Sequence, residues 1–235
     1  MESSNILSWT FAYDFIRGPM VWVAFIVFIL GTVFQIFKFF SMSRKTEAIQ
    51  LKAGPGNFIK PLPKDAPPPK TDWLMWLKLS VFGTNPFLMI VTTIFHLLLV
   101  LTPLFVLGHN ILWDNAFGIS MVSLPEGFTD FLTLIVIICA LIFLYRRLFL
   151  DRVRAITTWA DYLFLFLAAA PFITGYLAYH QMLLDYRLVI TLHILFGEIM
   201  LMAVPFTKFV HMIYLVLVRF TISSEWGLGK GSRTW

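Results

Sequence analysis

The chain is expected to fold as an all-α bundle of five transmembrane helices, N-terminus outside and C-terminus cytoplasmic. Three observations predict this. First, 59% of the 235 residues are hydrophobic and only 13% are charged, with a mean hydropathy of +0.81. Soluble domains carry about a quarter charged residues. Second, the apolar residues run on without a break for about 18 residues or more, the length of a spanning helix, where a β-barrel would show short alternating segments. Third, lysine and arginine fall almost wholly on one side of those runs.

Five spans follow in order: roughly 19–40, 86–108, 128–145, 160–179 and 188–218. Met1 to Ser8 carries no positive n-region and no small-x-small site follows the first run, so that helix is expected to remain in the mature chain. The connection 41–79 holds seven basic residues: Arg44, Lys45, Lys52, Lys60, Lys64, Lys70 and Lys78. Its GPGNFIKPLPKDAPPPKTD is too proline-rich for helix and reads as an extended strap, either a solvated linker or a docking segment for a cytoplasmic subunit. Arg146, Arg147, Arg152 and Arg154 follow the third span, and Arg219, Lys230 and Arg233 follow the fifth. Only Arg17 and Arg187 lie on the opposite side. The basic side is therefore expected to be cytoplasmic, and the net charge of +5 is a topology signal rather than a nucleic-acid one. Pro103, Pro171 and Pro205 lie inside spans and are expected to kink them. Trp113 and Phe117 read as interfacial anchors in the outer stretch 110–127.

The five histidines, His96, His109, His180, His193 and His211, all lie within or at the ends of spans. An ionisable side chain at membrane depth is costly and points to function. His193 and His211 are eighteen residues apart, five turns of one helix and roughly 27 Å along its axis. That is close to the roughly 30 Å of a hydrocarbon core. The second span runs outward and the fifth inward, so His109 shares a level with His193 and His96 with His211. Two bis-histidine haems stacked across the membrane would satisfy this pattern, with neutral imidazoles as axial ligands. A zinc site would bring carboxylates or thiolates close by. His96 and His109 lie about 220° apart on an ideal helix, which requires a kink at Pro103 or a helix end before His109. His180 is the alternative outer ligand.

Other polar residues fall inside the spans. Glu198 is a candidate for a quinone or proton role, or a structural group bonded to a neighbouring helix. Lys208 is a candidate contact for a haem propionate, or a residue that snorkels to the surface. Gly108 and Gly197 adjoin the proposed ligands, where small residues admit a flat ring or another helix. Cys139 is alone, so disulfides, cysteine zinc sites and iron–sulfur clusters within the chain are excluded.

RRLFLDRVRAITTWADY (Arg146–Tyr162), TLHILFGEIMLMAVPFTKFVH (Thr191–His211), FHLLLVLTPLFVLGH (Phe95–His109) and the opening GPMVWVAFIVFILG (Gly18–Gly31) carry a resemblance over most of the chain. It resembles the membrane cytochrome b (gamma) subunit of respiratory nitrate reductase, and most closely the related subunits of sulfate-reducer transmembrane redox complexes. The resemblance implies five helices and two haems b, with ligands at His96, His109, His193 and His211. It also implies an oxidoreductase complex in a bacterial inner membrane, with a cytoplasmic iron–sulfur subunit and other membrane subunits as partners. Outside, the implied partner is a multihaem cytochrome c or the quinone pool, with menaquinone as a candidate second cofactor. The nitrate reductase relatives carry a lysine near their quinol site, whereas SLPEGFTD (Ser123–Asp130) has none. The competing class is a haem-free membrane anchor or transporter subunit.

Overall fold

Residues 10–43, 85–182 and 185–221 are described in the computed structural model. The proline-rich loop, read as a solvated linker or a docking strap, and the basic tail after Thr221 lie outside them. Five helices are long and apolar enough to cross a membrane: Thr10–Met42, Pro86–Phe105, Glu126–Phe149, Trp159–Tyr179 and Tyr186–Ala203. No strand occurs among the described residues. The protein is thus an all-helical, multi-pass membrane bundle.

The first span widens into a π-helical turn at Ile16–Met20, around Pro19, before α1 (Val21–Ser43). A proline lacks the N–H that an α-helical ladder needs, and a π turn absorbs the mismatch. α2 (Pro86–Phe105) begins under an Asn85 cap whose side-chain oxygen accepts from Leu88 N at 3.2 Å. It stops at Val106, whose ψ of 132° is extended, and α3 (Leu107–Phe117) starts afresh. α4 (Glu126–Phe149) and the short α5 (Asp151–Arg154) follow, then α6 (Trp159–Tyr179) and α7 (Tyr186–Ala203). A 3-10 turn at Lys208–Val210 leads into α8 (His211–Thr221).

Two expectations are corrected here. The second span is not one helix to Gly108, and the fifth does not run unbroken from 188 to 218. Each break lies beside a proline: α2 stops two residues after Pro103, and α7 stops two residues before Pro205. Pro103 and Pro205 remove a ladder donor and crowd the preceding turn, so each chain segment restarts with a new direction and a new phase.

In the packing order, α2 lies on α4, α4 on α6, α6 on α7, and α7 on α1. The core joins α2, α4 and α6 through Val91, Phe95, Leu98, Leu99, Val136, Cys139, Ala140, Ala168, Ala169 and Phe172. The α2 members recur at three- and four-residue steps, one stripe of a helix. The alanines of α6 let backbones approach closely, as membrane helices require when no hydrophobic drive separates them from lipid. The opposite faces are apolar too. Phe37 is 73% exposed and Trp22 56%, a lipid-facing surface rather than a solvent-facing one.

α2 and α7 do not close this circle by backbone packing. Among the described residues they make almost no close Cα approach.

Candidate cofactor site: two facing histidine pairs

Each helix break re-aims one histidine. The His109 ring, in the first turn of α3, lies with its centroid 5.9 Å from that of His193 on α7, and the two planes are 24° apart. The His211 ring, at the start of α8, lies 5.8 Å from that of His96 on α2, with planes 81° apart. These are the two pairs expected from depth. The 220° difficulty in α2 is resolved by the break at Val106. Conversely, the five-turn relation of His193 and His211 on one helix does not survive the break after Ala203. His211 reaches its partner from a separate segment.

All four rings are oriented in the same chemical sense. His96 Nδ1 lies 2.7 Å from Thr92 O, His109 Nδ1 2.8 Å from Pro103 O, His193 Nδ1 2.9 Å from Pro171 O, and His211 Nδ1 2.5 Å from Lys208 O. A carbonyl oxygen only accepts, so Nδ1 must be the protonated nitrogen. Nε2 is then left with its lone pair, the form in which imidazole binds a metal, and the backbone carbonyl sets the tautomer and ring direction.

The spacing can be tested against a metal between the rings. With metal–nitrogen bonds of about 2 Å, two axial imidazoles have centroids roughly 6 Å apart. Both pairs meet this. Among the described residues no group of three or more His, Cys, Asp or Glu side chains comes together. Two donors per site, across a gap between helices, fit the axial positions of a macrocycle better than a four-donor zinc site.

The supporting residues explain why the rings stay in place. Proline and the Val106 break free the carbonyls of the last turn of α2. His109 takes that of Pro103, and Asn110 donates to Leu104 O at 3.3 Å and to Ser123 Oγ at 3.1 Å. Asn110 Oδ1 accepts from Met121 N at 3.1 Å, and the residue is buried. At the second break, Gln35 Nε2 donates to Pro205 O at 2.6 Å and Gln35 Oε1 accepts from Tyr214 Oη at 2.7 Å. Gly31 makes room for that proline, since a Cβ there would come within 2.6 Å of Pro205 Cγ. Gly175 does the same for His193, because a Cβ would stand 2.9 Å from its Cε1. A Cβ on Gly108 or Gly197 would meet nothing within 4 Å.

Asn110→Leu is therefore expected to leave Leu104 O and Met121 N without these partners, at a cost of up to about 1–3 kcal/mol for each group kept from water. The check is a lowered detergent melting temperature, with His109 displaced before the rest of the bundle.

The other candidates are placed as follows. His180 is not part of either pair. Its Nε2 lies 3.0 Å from Asp130 Oδ1, and its ring lies against Tyr176 and Tyr179 at the end of α6. Lys208 Nζ is engaged by Asp161 Oδ1 at 2.6 Å, tying α6 to the turn before His211. Asp161 also accepts from the Thr158 backbone N–H at 2.8 Å, anchoring the start of α6. Glu198 is 6% exposed, and neither carboxyl oxygen has a hydrogen-bond partner among the described residues. Cys139 is buried in the core.

A protein of Nitratidesulfovibrio vulgaris is 31% identical over 227 residues, covering 94% of this chain and 96% of its own length. The chain belongs to that protein's family. The relative's printed name, "Protein", states no activity. No family model and no solved structure matches the chain. Membership therefore extends over nearly the full length, while the chemistry must be argued from the site itself.

Proposed function

We propose that this protein is a dihaem cytochrome b subunit that carries electrons across a bacterial inner membrane within a respiratory redox complex. The observation that carries this reading is the pair of facing imidazole couples, each at axial-ligand spacing with every Nδ1–H given to a backbone carbonyl. A structural histidine needs neither a facing twin nor an unprotonated Nε2.

His109 and His193 would hold one haem and His96 and His211 the other. When bound, each haem supplies one-electron exchange at its iron. The protein's own part is to fix four imidazole tautomers, hold each pair apart at the ligating distance, and wall the route with apolar helices. Carbonyl acceptors at Nδ1 raise the basicity of Nε2. The basic end of the bundle is the cytoplasmic one by the positive-inside rule. An iron–sulfur subunit there, and a multihaem cytochrome c or menaquinone at the other end, are the partners this reading requires. Lys208 need not serve a propionate, since Asp161 already engages it. Among the described residues, Glu198 on α7 is the buried carboxyl available for a proton role.

Purified chain is expected to yield about two extractable haems b and a low-spin reduced-minus-oxidised spectrum. The ligand planes supply a further test. Near-parallel imidazoles split the iron orbitals that π-bond to them, whereas near-perpendicular ones leave them almost degenerate. With planes 24° and 81° apart, the two ferric centres should give separate EPR signals, the His96–His211 one more anisotropic. A preparation with its partner subunits intact and no tetrapyrrole would instead support the haem-free anchor or transporter subunit.

A further inference from the structure

Lys208 opens the 3-10 turn Lys208–Val210, and its backbone carbonyl accepts from His211 Nδ1 at 2.5 Å. The same carbonyl accepts from the His211 backbone N–H. Main chain and ring of His211 therefore refer to one peptide group, and where Lys208 O moves the ring must follow. The Lys208 side chain reaches across to α6, where Nζ donates to Asp161 Oδ1 at 2.6 Å. The next residue, Phe209, sets its ring 5.6 Å from that of Phe164. Asp161 and Phe164 are three residues apart on α6, neighbours on one helix face. One turn of α6 thus holds both 208 and 209.

Asp161 is itself fixed. Its Oδ2 accepts from the Thr158 backbone N–H and hydroxyl, each at 2.8 Å, and Oδ1 is given to Lys208. Its neighbour Tyr162 donates to Arg147 O at 3.1 Å, joining the start of α6 to the end of α4. The acid side chain is 13% exposed and the lysine side chain 62%, so the acid is the anchor and the lysine the arm.

We propose that Asp161 is a positioning residue for the His96–His211 pair, aiming the His211 ring through Lys208. The inference rests on the haem reading and deepens it. An ion pair whose lysine is this open contributes little to global stability. A group that orients a ligand through its hydrogen bonds shows instead in the affinity and electronic structure of the metal. The 81° between the His96 and His211 planes is the quantity that these contacts hold.

The test is EPR, with haem transfer to excess apomyoglobin, on the full-length protein purified with any subunits that accompany it. Asp161→Asn keeps an oxygen for the Thr158 N–H but loses the charge. Lys208→Met removes the other partner and leaves the α6 cap whole. Each is expected to shift the more anisotropic ferric signal and to weaken retention of that haem about tenfold, the low end for a loosened orienting group. The double variant should do no more than either single one, as residues acting in one chain of contacts do. Asp161→Glu, which keeps the carboxylate, should retain the unaltered signal. The less anisotropic signal, from His109–His193, should stay as it is and reports an intact bundle. An unmoved His96–His211 signal in either single variant would overturn the proposal, as would equal loss of both haems. A change in Lys208→Met alone would overturn it in favour of a direct lysine contact with the haem. Absence of haem from the unaltered protein would overturn the underlying reading, and the inference with it.

Discussion

His193→Ala and His211→Ala are each expected to remove one haem and leave the other, halving the haem content per chain. The reason is geometric. Each iron would have two protein ligands, on segments whose backbones do not pack together, so loss of one imidazole leaves a site with one donor and an open gap. The two pairs lie at different depths and share no residue, so the losses should be independent. His193→Ala should erase the less anisotropic EPR signal and His211→Ala the more anisotropic one. His180→Ala is the control. Its Nε2 faces Asp130 at 3.0 Å, and both haems should remain. Two haems retained in His193→Ala would remove the assignment.

The second large effect is expected at Gly175, which is not itself a proposed ligand. An added Cβ would come within 2.9 Å of His193 Cε1, closer than side chains tolerate. The ring must then leave the Pro171 carbonyl or rotate away from His109. Loosening a group that orients a metal ligand costs about 10–100-fold in affinity. Gly175→Val should therefore empty the His109–His193 site with little effect on the His96–His211 site. Gly127→Ala is a fair control, since its Cβ would meet nothing within 4 Å. Haem content and the two EPR signals read the result directly. Loss of both haems together would mean that Gly175 supports the bundle as a whole rather than one ring.

Gly175 also shows where the sequence stops being legible. The histidines stand out because an imidazole in an apolar run is anomalous by itself. Their depth follows from counting residues along spans whose direction the basic loops assign, and the pairing follows from depth. A glycine in a membrane helix carries no such mark, because small residues there are common for ordinary packing. Gly108 and Gly197, adjacent or near to the ligands in sequence, drew attention for that reason. Their Cβ positions are open, while the glycine under the ring lies on the neighbouring helix. Asn110 and Gln35 were invisible in the same way. Each is an ordinary amide until the tertiary structure shows the carbonyls left open at the two helix breaks.

The prolines mark the boundary within single elements. Their positions predicted irregularity, and the awkward angle between His96 and His109 required one. Whether the outcome is a gentle kink or a full restart depends on partners for the freed carbonyls. His109 and Asn110 supply them at one break, and Gln35, itself held by the Tyr214 hydroxyl, at the other.

By itself, the amino-acid order determined an all-helical membrane bundle, the number of its apolar spans and the one-sidedness of its charge, and it set an expected level for each imidazole. These properties are additive along the chain, because hydropathy, length and charge are local quantities. Which nitrogen each ring leaves free, how far apart the facing rings stand, and that Lys208 belongs to Asp161 were decided only by the tertiary structure. Those depend on contacts between segments tens of residues apart, and no one-dimensional pattern encodes the distance between two side chains that meet across a gap.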